Sequence, residues 1–533
     1  MQCVLFPAHG GKTEEKFNMK DFKIQQTDAA YVAELDALFS KRIEEIKNTK
    51  SEWELGKYGI CFYVSNDGSD ENDGFTPETP LKTLDKIMEL QGKNIIRAHD
   101  VVLLRRGDEF HTKFTTKQGV SYSAYGEGAK PRVLGSLEAD KPEQWIKTEY
   151  ENLYKLDVEM PFELDVGNIV FNDGEAFGQR IMKSLTEDVS IEAGDNYIVS
   201  NGLERWSFPP QKFCDQKDLK HNLQYYHNWE EKALYIYSVN GNPGDLFDSI
   251  EICTYGHAVR ACSDVVIDNW CIKFTGSHGI GAGSCQNLTV RNCEIGWIGG
   301  SVQRIRNEKA TRYGNAVEIY GAADGYEVSN CFMYQCFDCG PTVQCGGSSM
   351  VPGKRIVEEN VAIHDNVLWD ADLEVWLSTK VENCDNMYAL LKDCRLYNNL
   401  VTRSGYGFGG YNHYKHDYCS FYGAGATKAT YENCYIENNT FWRIRKHLWK
   451  AVPTTVENGK GFHWRNNTVI LKHNQSLGFL GSDTKNACGP LTRYDYNDET
   501  VAKLMEDGCL GDNRYLYLPD DFNTDPFFEP RLY

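Results

Sequence analysis

The sequence predicts an all-β chain wound into a parallel β-helix, a solenoid in which each coil stacks on the preceding one. Three observations predict this fold. A short β-rich pattern recurs from residue 264 onward, the shortest interval between its copies is the length of one coil, and an amphipathic helix precedes the repeats. The composition agrees, because 41% of the 533 residues are hydrophobic and 25% are charged, as in soluble folded chains.

Each copy of the repeat is a β-rich run, then an Asn beside another Asn, a Cys or a Trp, and then a second apolar run. The shortest interval is 292 − 269 = 23 residues, and the longer ones indicate the same coil with a loop inserted. Because Asn tolerates left-handed backbone, asparagines stacked at a tight corner are expected to hydrogen-bond along a ladder. An antiparallel sandwich does not explain a polar pair after each strand. The marker residues are Asn269, Asn292, Asn330, Asn366, Asn399, Asn439 and Asn467.

The segments outside the repeat complete the predicted organisation. Residues 1–57 form an N-terminal segment with a capping helix, which starts near Thr27 or Asp28 and is expected across the end of the solenoid. Its predicted apolar face is Val32, Leu35, Leu38, Phe39, Ile43 and Ile46. Residues 58–136 are predicted as the first coils, 137–250 as a β-rich insertion, 251–485 as the main coils, and 486–533 as a C-terminal cap and tail.

Charge and targeting signals exclude several classes of protein. The net charge is 56 − 76 = −20, so a nucleic-acid partner is not expected. No stretch is apolar for long enough to span a membrane, and residues 1–12 lack the basic and apolar regions of a secretory signal. We therefore expect a cytoplasmic protein, or a secreted one if a leader has been trimmed. Its 18 cysteines, such as Cys293 and Cys331 in apolar runs, are expected to be reduced. The oligomeric state stays open.

The opening of the first coils resembles a known superfamily. Tyr63-Val64-Ser65 is followed by Asn66, Asp67, Gly68, Asp70 and Gly74, and then by TPETPLKTL at 76–84. This motif resembles the start of many right-handed parallel β-helix enzymes of the pectate-lyase-like superfamily. It is specific for the fold and weak for the activity. Residues 313–344 resemble β-helix glycoside hydrolases of the β-xylosidase and α-L-fucosidase/xylanase type. The resemblance implies carbohydrate cleavage by paired carboxylates on one face of the solenoid.

Three strands of successive coils carry the candidate site: AVEIYG at 316–321, GPTVQCG at 340–346 and LEVWLS at 373–378. Alternation along a strand turns Val317, Ile319, Val343, Leu373 and Val375 inward. The same alternation turns Glu318, Thr342 and Glu374 outward. Since parallel strands are ~4.8 Å apart, Glu318 and Glu374 are expected ~10 Å apart. Asp338, Asp370 and Asp372 stand just before these strands.

Convergent carboxylates point to glycoside cleavage, which needs a protonated acid and an ionised partner. Asp338 and Glu374 are the predicted catalytic pair, and Glu318 is expected to tune a pKa or bind a sugar hydroxyl. Asp370 and Asp372 are expected to bind substrate. No cofactor is expected, although oxygen ligands on this face also suit Ca²⁺. A solvated acidic face is the non-functional alternative.

Other residue types around these strands suit sugar binding. Tyrosine and tryptophan rings pack on the apolar faces of sugars, and an arginine fork clamps an anionic sugar. The loop 411–419 lacks the spacing of a zinc protease and is expected to bind substrate. The predicted binding residues are Gln344, Tyr320, Trp376, Arg304, Arg312, His413, Tyr414 and His447.

Three functions remain open from the residues. The first is an exo-acting glycoside hydrolase acting on an oligosaccharide or polysaccharide. The second is a polysaccharide lyase or uronate epimerase, with Ca²⁺ on the acids and an Arg or Lys base from residues 302–312. The third is a non-catalytic carbohydrate-binding solenoid, although binding alone does not require several crowded carboxylates.

Overall fold

The chain is a parallel β-helix built from three long sheets, here called A, B and C, and each coil passes through B, then A, then C. The computed structural model describes residues 25–51, 59–158, 160, 166–181, 197–198, 211–212, 215–306, 309–345, 355–370, 375–379, 388–412, 419–422, 429–444, 447–452, 460–471, 476–480 and 512–518. The predicted β-helix is confirmed by the topology of these sheets.

The strands of each sheet follow one another along the solenoid in parallel. Sheet A contains Glu109–His111, Arg132–Leu134, Cys271–Thr275, Glu294–Ile298, Phe332–Cys336, Val367–Trp369, Leu400–Thr402, Thr440–Trp442, Thr468–Leu471, Arg514–Tyr517 and Gln25–Gln26. Sheet B contains Cys61–Val64, Val101–Arg105, Ser121–Tyr125, Val265–Asp268, Cys285–Arg291, Ala323–Ser329, Arg355–His364, Tyr388–Lys392, Arg395–Tyr397, Ala429–Glu432, Cys434–Glu437 and Phe462–Arg465. Sheet C contains Phe114–Thr115, Val259–Arg260, Ile280–Ala282, Val317–Tyr320, Pro341–Cys345, Val375–Thr379, Cys419–Tyr422, His447–Val452 and Ser476–Leu480.

The solenoid interior is filled by aligned apolar side chains. In sheet B, Ile267, Val290, Val328 and Ile363 lie in register on successive coils, and all four are fully buried. Burying such a side chain stabilises the fold by roughly 1.5–3 kcal/mol. In sheet C, the predicted inward residues Val317 and Ile319 also belong to this core.

The corner between sheets B and A carries two adjacent columns of asparagines. In the inner column, each side-chain amide donates to the next side-chain oxygen over 2.9–3.1 Å, so the predicted ladder is confirmed. That column is Asn366, Asn399, Asn439, Asn467 and Asn513. The outer column has left-handed backbone at Asn269, Asn292, Asn330, Asp365, Asn398, Asn438, Asn466 and Asp512.

The repeat pattern predicts that the seven marker asparagines stack in one column, but they are divided between the two columns. Asn269, Asn292 and Asn330 belong to the outer column, and the other four markers belong to the inner one. The physical reason is a change of residue type along the inner column. Cys293 and Cys331 occupy it in the earlier coils, and the Cys331 N–H donates to Asn366 Oδ1 over 2.9 Å.

The predicted N-terminal helix is present as α1, Ala29–Asn48, with Asp28 accepting from the Tyr31 N–H at its start. It lies along the outer face of sheet A rather than across the end of the solenoid. Its apolar face packs on side chains from successive coils, including Phe332, Val367, Trp442 and Leu516. The strand that precedes α1 explains this placement. Gln25–Gln26 pairs with Arg514–Tyr517 and is the terminal strand of sheet A, so α1 begins at the edge of that sheet.

A β-rich lobe interrupts the coils and packs beside the corner between sheets A and C. One lobe sheet contains Trp145–Lys147, Leu153–Leu156, Ala233–Tyr237, Gln224–Asn228 and Gln179–Ile181. The other contains Ser136–Glu138, Ile250–Cys253, Asn168–Phe171 and Ala176–Phe177, and a separate pair joins Tyr197–Ile198 to Gln211–Lys212. Phe177 of the lobe packs on Trp297 and Phe408, which anchors the lobe to the solenoid.

The remaining elements are short. The hairpin Val302–Arg306 with Lys309–Arg312 projects from the same corner. The other helices are α2 (Leu84–Gly92), α3 (Pro243–Leu246) and α4 (Gly407–Asn412), with 3₁₀ turns at Pro142–Gln144, Asn172–Gly174 and Gln216–Asp218. Of the predicted C-terminal cap, only residues 512–518 lie within the described part of the chain.

Candidate functional site

A second side-chain ladder occupies the corner between sheets A and C. The parallel register of sheet C places His257, His278, Asn315 and Cys339 at equivalent positions of four successive coils. His257 Nδ1 accepts the His278 N–H over 3.3 Å, and His278 Nδ1 accepts the Asn315 N–H over 3.0 Å. Asn315 Oδ1 then accepts the Cys339 N–H over 2.9 Å. We call this series the A–C ladder.

The A–C ladder ends at two buried carboxylates. Asn315 uses its oxygen in the ladder, and its Nδ2 donates to Glu318 Oε2. The neighbouring Gly314 N–H donates to Asp338 Oδ2 over 3.1 Å, and the Asp338 N–H donates back to the Gly314 carbonyl over 3.0 Å. Glu318 is 2% exposed and Asp338 is 6% exposed. Two carboxylates from adjacent coils are thus held on the same dipeptide, Gly314–Asn315.

The outward face of sheet C forms the floor of the site. Gly281, Glu318, Thr342 and Trp376 lie in register on successive coils, followed by Tyr422. Trp376, and not Glu374, therefore stands level with Glu318 and Thr342, which corrects the predicted alignment. Side chains alternate between the two faces of a strand with a period of two. A register shift of two residues therefore keeps the predicted outward face of the strand but changes which residues of neighbouring strands are paired. Thr342 is fully buried, and its hydroxyl has no hydrogen-bond partner among the described residues.

The next outward column contains two residues that were predicted to bind substrate. Tyr320 is paired in register with Gln344, which is paired in turn with Ser378. Tyr320 is 41% exposed, whereas Gln344 is buried. The ring of Tyr320 is therefore available beside the carboxylates, as alternation along the strand predicts.

Stacked rings line the side of the site that faces the first coils. The rings of His257 and His278 are 5.0 Å apart, and those of His278 and Tyr313 are 4.5 Å apart and nearly parallel. Burial, then the nearby Arg260 and Lys113, lowers the pKa of His257 to about 4. Burial and His257 lower the pKa of His278 well below its usual value. Both imidazoles are therefore neutral at neutral pH. Burial also raises the pKa of Tyr313 to about 12.

A further carboxyl group lies inside the solenoid close to Glu318. Glu358 is fully buried, and neither of its carboxyl oxygens has a hydrogen-bond partner among the described residues. Burial, followed by the negative charge of Glu318, raises the pKa of Glu358 well above its ordinary value. Burial thus favours the neutral, protonated form of Glu358.

Three other predicted site residues have contacts that hold the corners of the coils. The buried carboxylate of Asp370 accepts from Arg403 Nε and, over 3.0 Å, from Gln335 Nε2. Burial raises the pKa of Asp370, and the guanidinium of Arg403 opposes that rise. Arg312 is buried and donates to the Gly300 carbonyl over 3.0 Å. Arg304 is exposed, and its Nε donates to Thr311 Oγ1 within the hairpin over 3.3 Å.

The remaining predicted residues stay predictions. Asp372, Glu374, His413 and Tyr414 lie outside the described residues. Trp376 and His447 lie in strands of sheet C, but their side chains are also outside the described part. The predicted pairing of Asp338 with Glu374 is therefore untested, whereas the structure brings Asp338 together with Glu318.

His257, Asn315 and Tyr313 were not among the residues predicted from the sequence. A signal existed in the segments YGHAV and GSHGI, where each histidine comes two residues before the strand of sheet C. The third coil has Asn315 in that place and the fourth has Cys339. Because the residue type changes in this column, a search for a recurring residue does not detect it.

The described residues contain neither a metal-binding cluster nor a membrane-spanning helix. Within the described residues, no group of three or more His, Cys, Asp or Glu side chains is arranged to hold a metal ion. The Ca²⁺ expected for a lyase therefore stays a prediction. No helix in the described part of the chain has the length and apolarity needed to cross a bilayer.

Comparisons with known proteins return similar solved structures. A glycoside hydrolase is 10% identical with a TM-score of 0.44, covering 87% of this chain and 98% of the other. A complex of XylC with xylose is 11% identical with a TM-score of 0.36, covering 87% and 86%. A rhamnogalacturonan lyase is 12% identical with a TM-score of 0.35, covering 81% and 78%. No protein-family model and no curated protein sequence matches the chain. At these TM-scores, the activity must be inferred from the residues of the site.

Proposed function

We propose that the chain is a carbohydrate-active enzyme that hydrolyses a glycosidic bond of an oligosaccharide or polysaccharide. The observation that carries the proposal is the pair Glu318 and Asp338, held from adjacent coils on the dipeptide Gly314–Asn315. Glycoside hydrolysis uses two carboxyl groups, one to protonate the leaving oxygen and one to attack the anomeric carbon or activate water. The buried position of both groups suits this chemistry, because a site with little water strengthens electrostatic interactions.

The surroundings of the pair support a sugar substrate. Tyr320 presents an exposed ring beside the carboxylates, and tyrosine rings pack on the apolar C–H faces of sugars. Thr342 and the neutral histidines of the A–C ladder add polar groups without adding charge. This combination fits a substrate that is bound mainly through hydroxyl groups.

Product chemistry tests the proposal. The purified protein is incubated with plant and mucin oligosaccharides, with and without a chelator. New reducing ends and the ultraviolet absorbance of unsaturated sugars are then followed. We expect reducing ends without absorbance, at a rate that the chelator does not change. Absorbance that disappears with the chelator would contradict the proposal and establish a lyase, and binding without any cleavage would establish a carbohydrate-binding solenoid.

The role of Glu374 is settled by a separate variant. Glu374→Gln is compared with Glu318→Gln on the same substrate. If Glu318 and Asp338 are the pair, Glu318→Gln abolishes cleavage and Glu374→Gln leaves most of it. The opposite result would restore the pair that was predicted from the sequence.

A further inference from the structure

One position on the floor of the site has no side chain of its own. Gly281 stands next to Glu318 in the outward column of sheet C, one strand closer to the first coils. A Cβ atom built on Gly281 would lie 2.9–3.0 Å from Cδ2, Cγ and Nε2 of His257. The imidazole of His257 therefore occupies the space that a side chain at residue 281 would need. Since neighbouring strands are ~4.8 Å apart, the ring lies beside the position of Glu318.

The hydrogen bonds of His257 define which nitrogen carries its proton. The backbone N–H of His278 can only donate, so His257 Nδ1 must be the acceptor of that 3.3 Å bond. Nδ1 also lies 2.9 Å from Ser277 Oγ, which can donate to it. A neutral imidazole has one N–H group, which is then on Nε2. Among the described residues, no group accepts a hydrogen bond from this Nε2–H.

We propose that His257 is a substrate-binding residue whose Nε2–H donates a hydrogen bond to a hydroxyl oxygen of the sugar unit bound against Glu318. This inference rests on the carbohydrate site proposed above and extends it by one specific contact. The stack with His278 holds the ring in place, and Gly281 leaves the room that the ring needs. A neutral donor suits a neutral sugar hydroxyl, because no buried charge has to be balanced when the sugar leaves.

Four variants separate the donor from the ring. His257→Gln keeps an N–H donor at a similar reach but loses the ring, whereas His257→Ala loses both. Gly281→Ala keeps His257 but pushes the imidazole out of its place. Gly283→Ala is the matched control, because a Cβ there meets nothing within 4 Å. The values of kcat and KM are measured on the glycoside that the wild type cleaves fastest.

We expect His257→Ala and Gly281→Ala each to lower kcat/KM by about tenfold, the loss of roughly one hydrogen bond. His257→Gln is expected to recover most of this loss, and Gly283→Ala to match the wild type. Wild-type kcat/KM in His257→Ala would overturn the proposal. Equal losses in His257→Gln and His257→Ala would also overturn it, because the ring and not its donor would then matter.

A binding measurement keeps this inference separate from the proposed reaction. The imidazole ¹⁵N resonances are recorded in protein that carries Glu318→Gln and Asp338→Asn, and the His257 signal is assigned by its loss in His257→Gln. Plant and mucin oligosaccharides are then added. A shift of the His257 Nε2 resonance supports the contact, even if the wild type proves to cleave no glycosidic bond. If the wild type cleaves and this resonance does not move, the inference fails while the hydrolase function stands. If there is neither a shift nor cleavage, both fail.

Discussion

Two corners of the solenoid carry ladders of hydrogen-bonded side chains, but the ladders differ in composition. At the corner between sheets B and A, asparagines repeat in the inner column, and each donates to the next. At the corner between sheets A and C, the A–C ladder changes from His to His to Asn to Cys and ends at Glu318 and Asp338. The uniform ladder holds coils together, and the varied ladder holds the two carboxylates of the proposed site.

The difference lies in which polar groups each ladder leaves available. Asn399 uses its Nδ2 on the Ile363 carbonyl and on Asn439 Oδ1, and its Oδ1 accepts from Asn366. Nothing on that amide remains for a ligand. Among the described residues, the side chains of His257 and His278 in the A–C ladder act only as acceptors, so each neutral ring keeps an Nε2–H. A ladder in which the side chains use their acceptor atoms but not their donor groups can therefore contribute to binding.

The largest expected effect is on catalysis at the A–C corner. Glu318→Gln and Asp338→Asn are each expected to lower kcat by about 10²–10⁴-fold, because each removes a carboxyl group that moves a proton or attacks the sugar in the proposed reaction. Steady-state kinetics on the cleaved oligosaccharide measures this. Glu327→Gln on sheet B is the control and should keep full activity. A loss below tenfold for both site variants would show that the pair is elsewhere.

The next effect concerns stability at the opposite corner. Asn399→Ala removes two donated and two accepted hydrogen bonds inside the asparagine ladder. We expect a loss of about 4 kcal/mol in the free energy of unfolding, at roughly 1 kcal/mol for each bond. Urea denaturation measures it, and kcat is expected to stay unchanged below the transition. Full stability combined with lost activity would reverse the roles assigned to the two corners.

A matched pair of substitutions compares the two ladders directly. Asn315→Asp keeps the oxygen that accepts from Cys339 but replaces the donor to Glu318 with a carboxyl oxygen. We expect kcat/KM to fall by about tenfold at neutral pH, because the hydrogen bond to Glu318 is lost and the new carboxyl oxygen repels the Glu318 carboxylate. Asn399→Asp makes the same chemical change in the other ladder and should lower the melting temperature without lowering kcat/KM. If Asn315→Asp and Asn399→Asp lower kcat/KM equally, the two ladders do not have the different roles assigned to them.

The smallest effect is a pair of opposite pH dependences. The pKa of His257 is lowered from 6.5 to about 4 in the folded chain. Between these two pH values the unfolded chain binds a proton at His257 and the folded chain does not. Stability therefore falls as the pH drops from 6.5 towards 4. Burial opposes a charge on His364, but Asp365 and Glu327 raise its pKa from 6.5 to about 9. The stabilisation from His364 is complete below pH 6.5 and is lost as the pH rises through 9.

Melting temperatures across this pH range check both signs. His257→Gln is expected to flatten the acid side of the stability profile, and His364→Gln the alkaline side. If both variants flatten the same side, at least one of the two assigned charge states is wrong.

How far the sequence predicts this structure depends on whether a position repeats. The asparagine ladder, the inward Val317 and Ile319, and the outward Tyr320 follow from recurrence and alternation alone. The prediction that Glu374 lies level with Thr342 was wrong, since Thr342 is paired with Trp376. Alternation determines on which face of a strand a side chain lies, but not which residues of neighbouring strands are paired. His257 was missed because its column changes residue type, and its nearness to Glu318 depends on the glycine at 281.

The central claim is that bond cleavage depends on the two carboxylates at the end of the A–C ladder. The most direct measurement follows ¹H NMR signals of new anomeric protons from oligosaccharides treated with wild type, with the Glu318→Gln/Asp338→Asn double variant, and with Asn399→Ala below its melting temperature. The account predicts products from wild type and Asn399→Ala and none from the double variant, which still binds the substrate. Products formed by the double variant at the wild-type rate would contradict it.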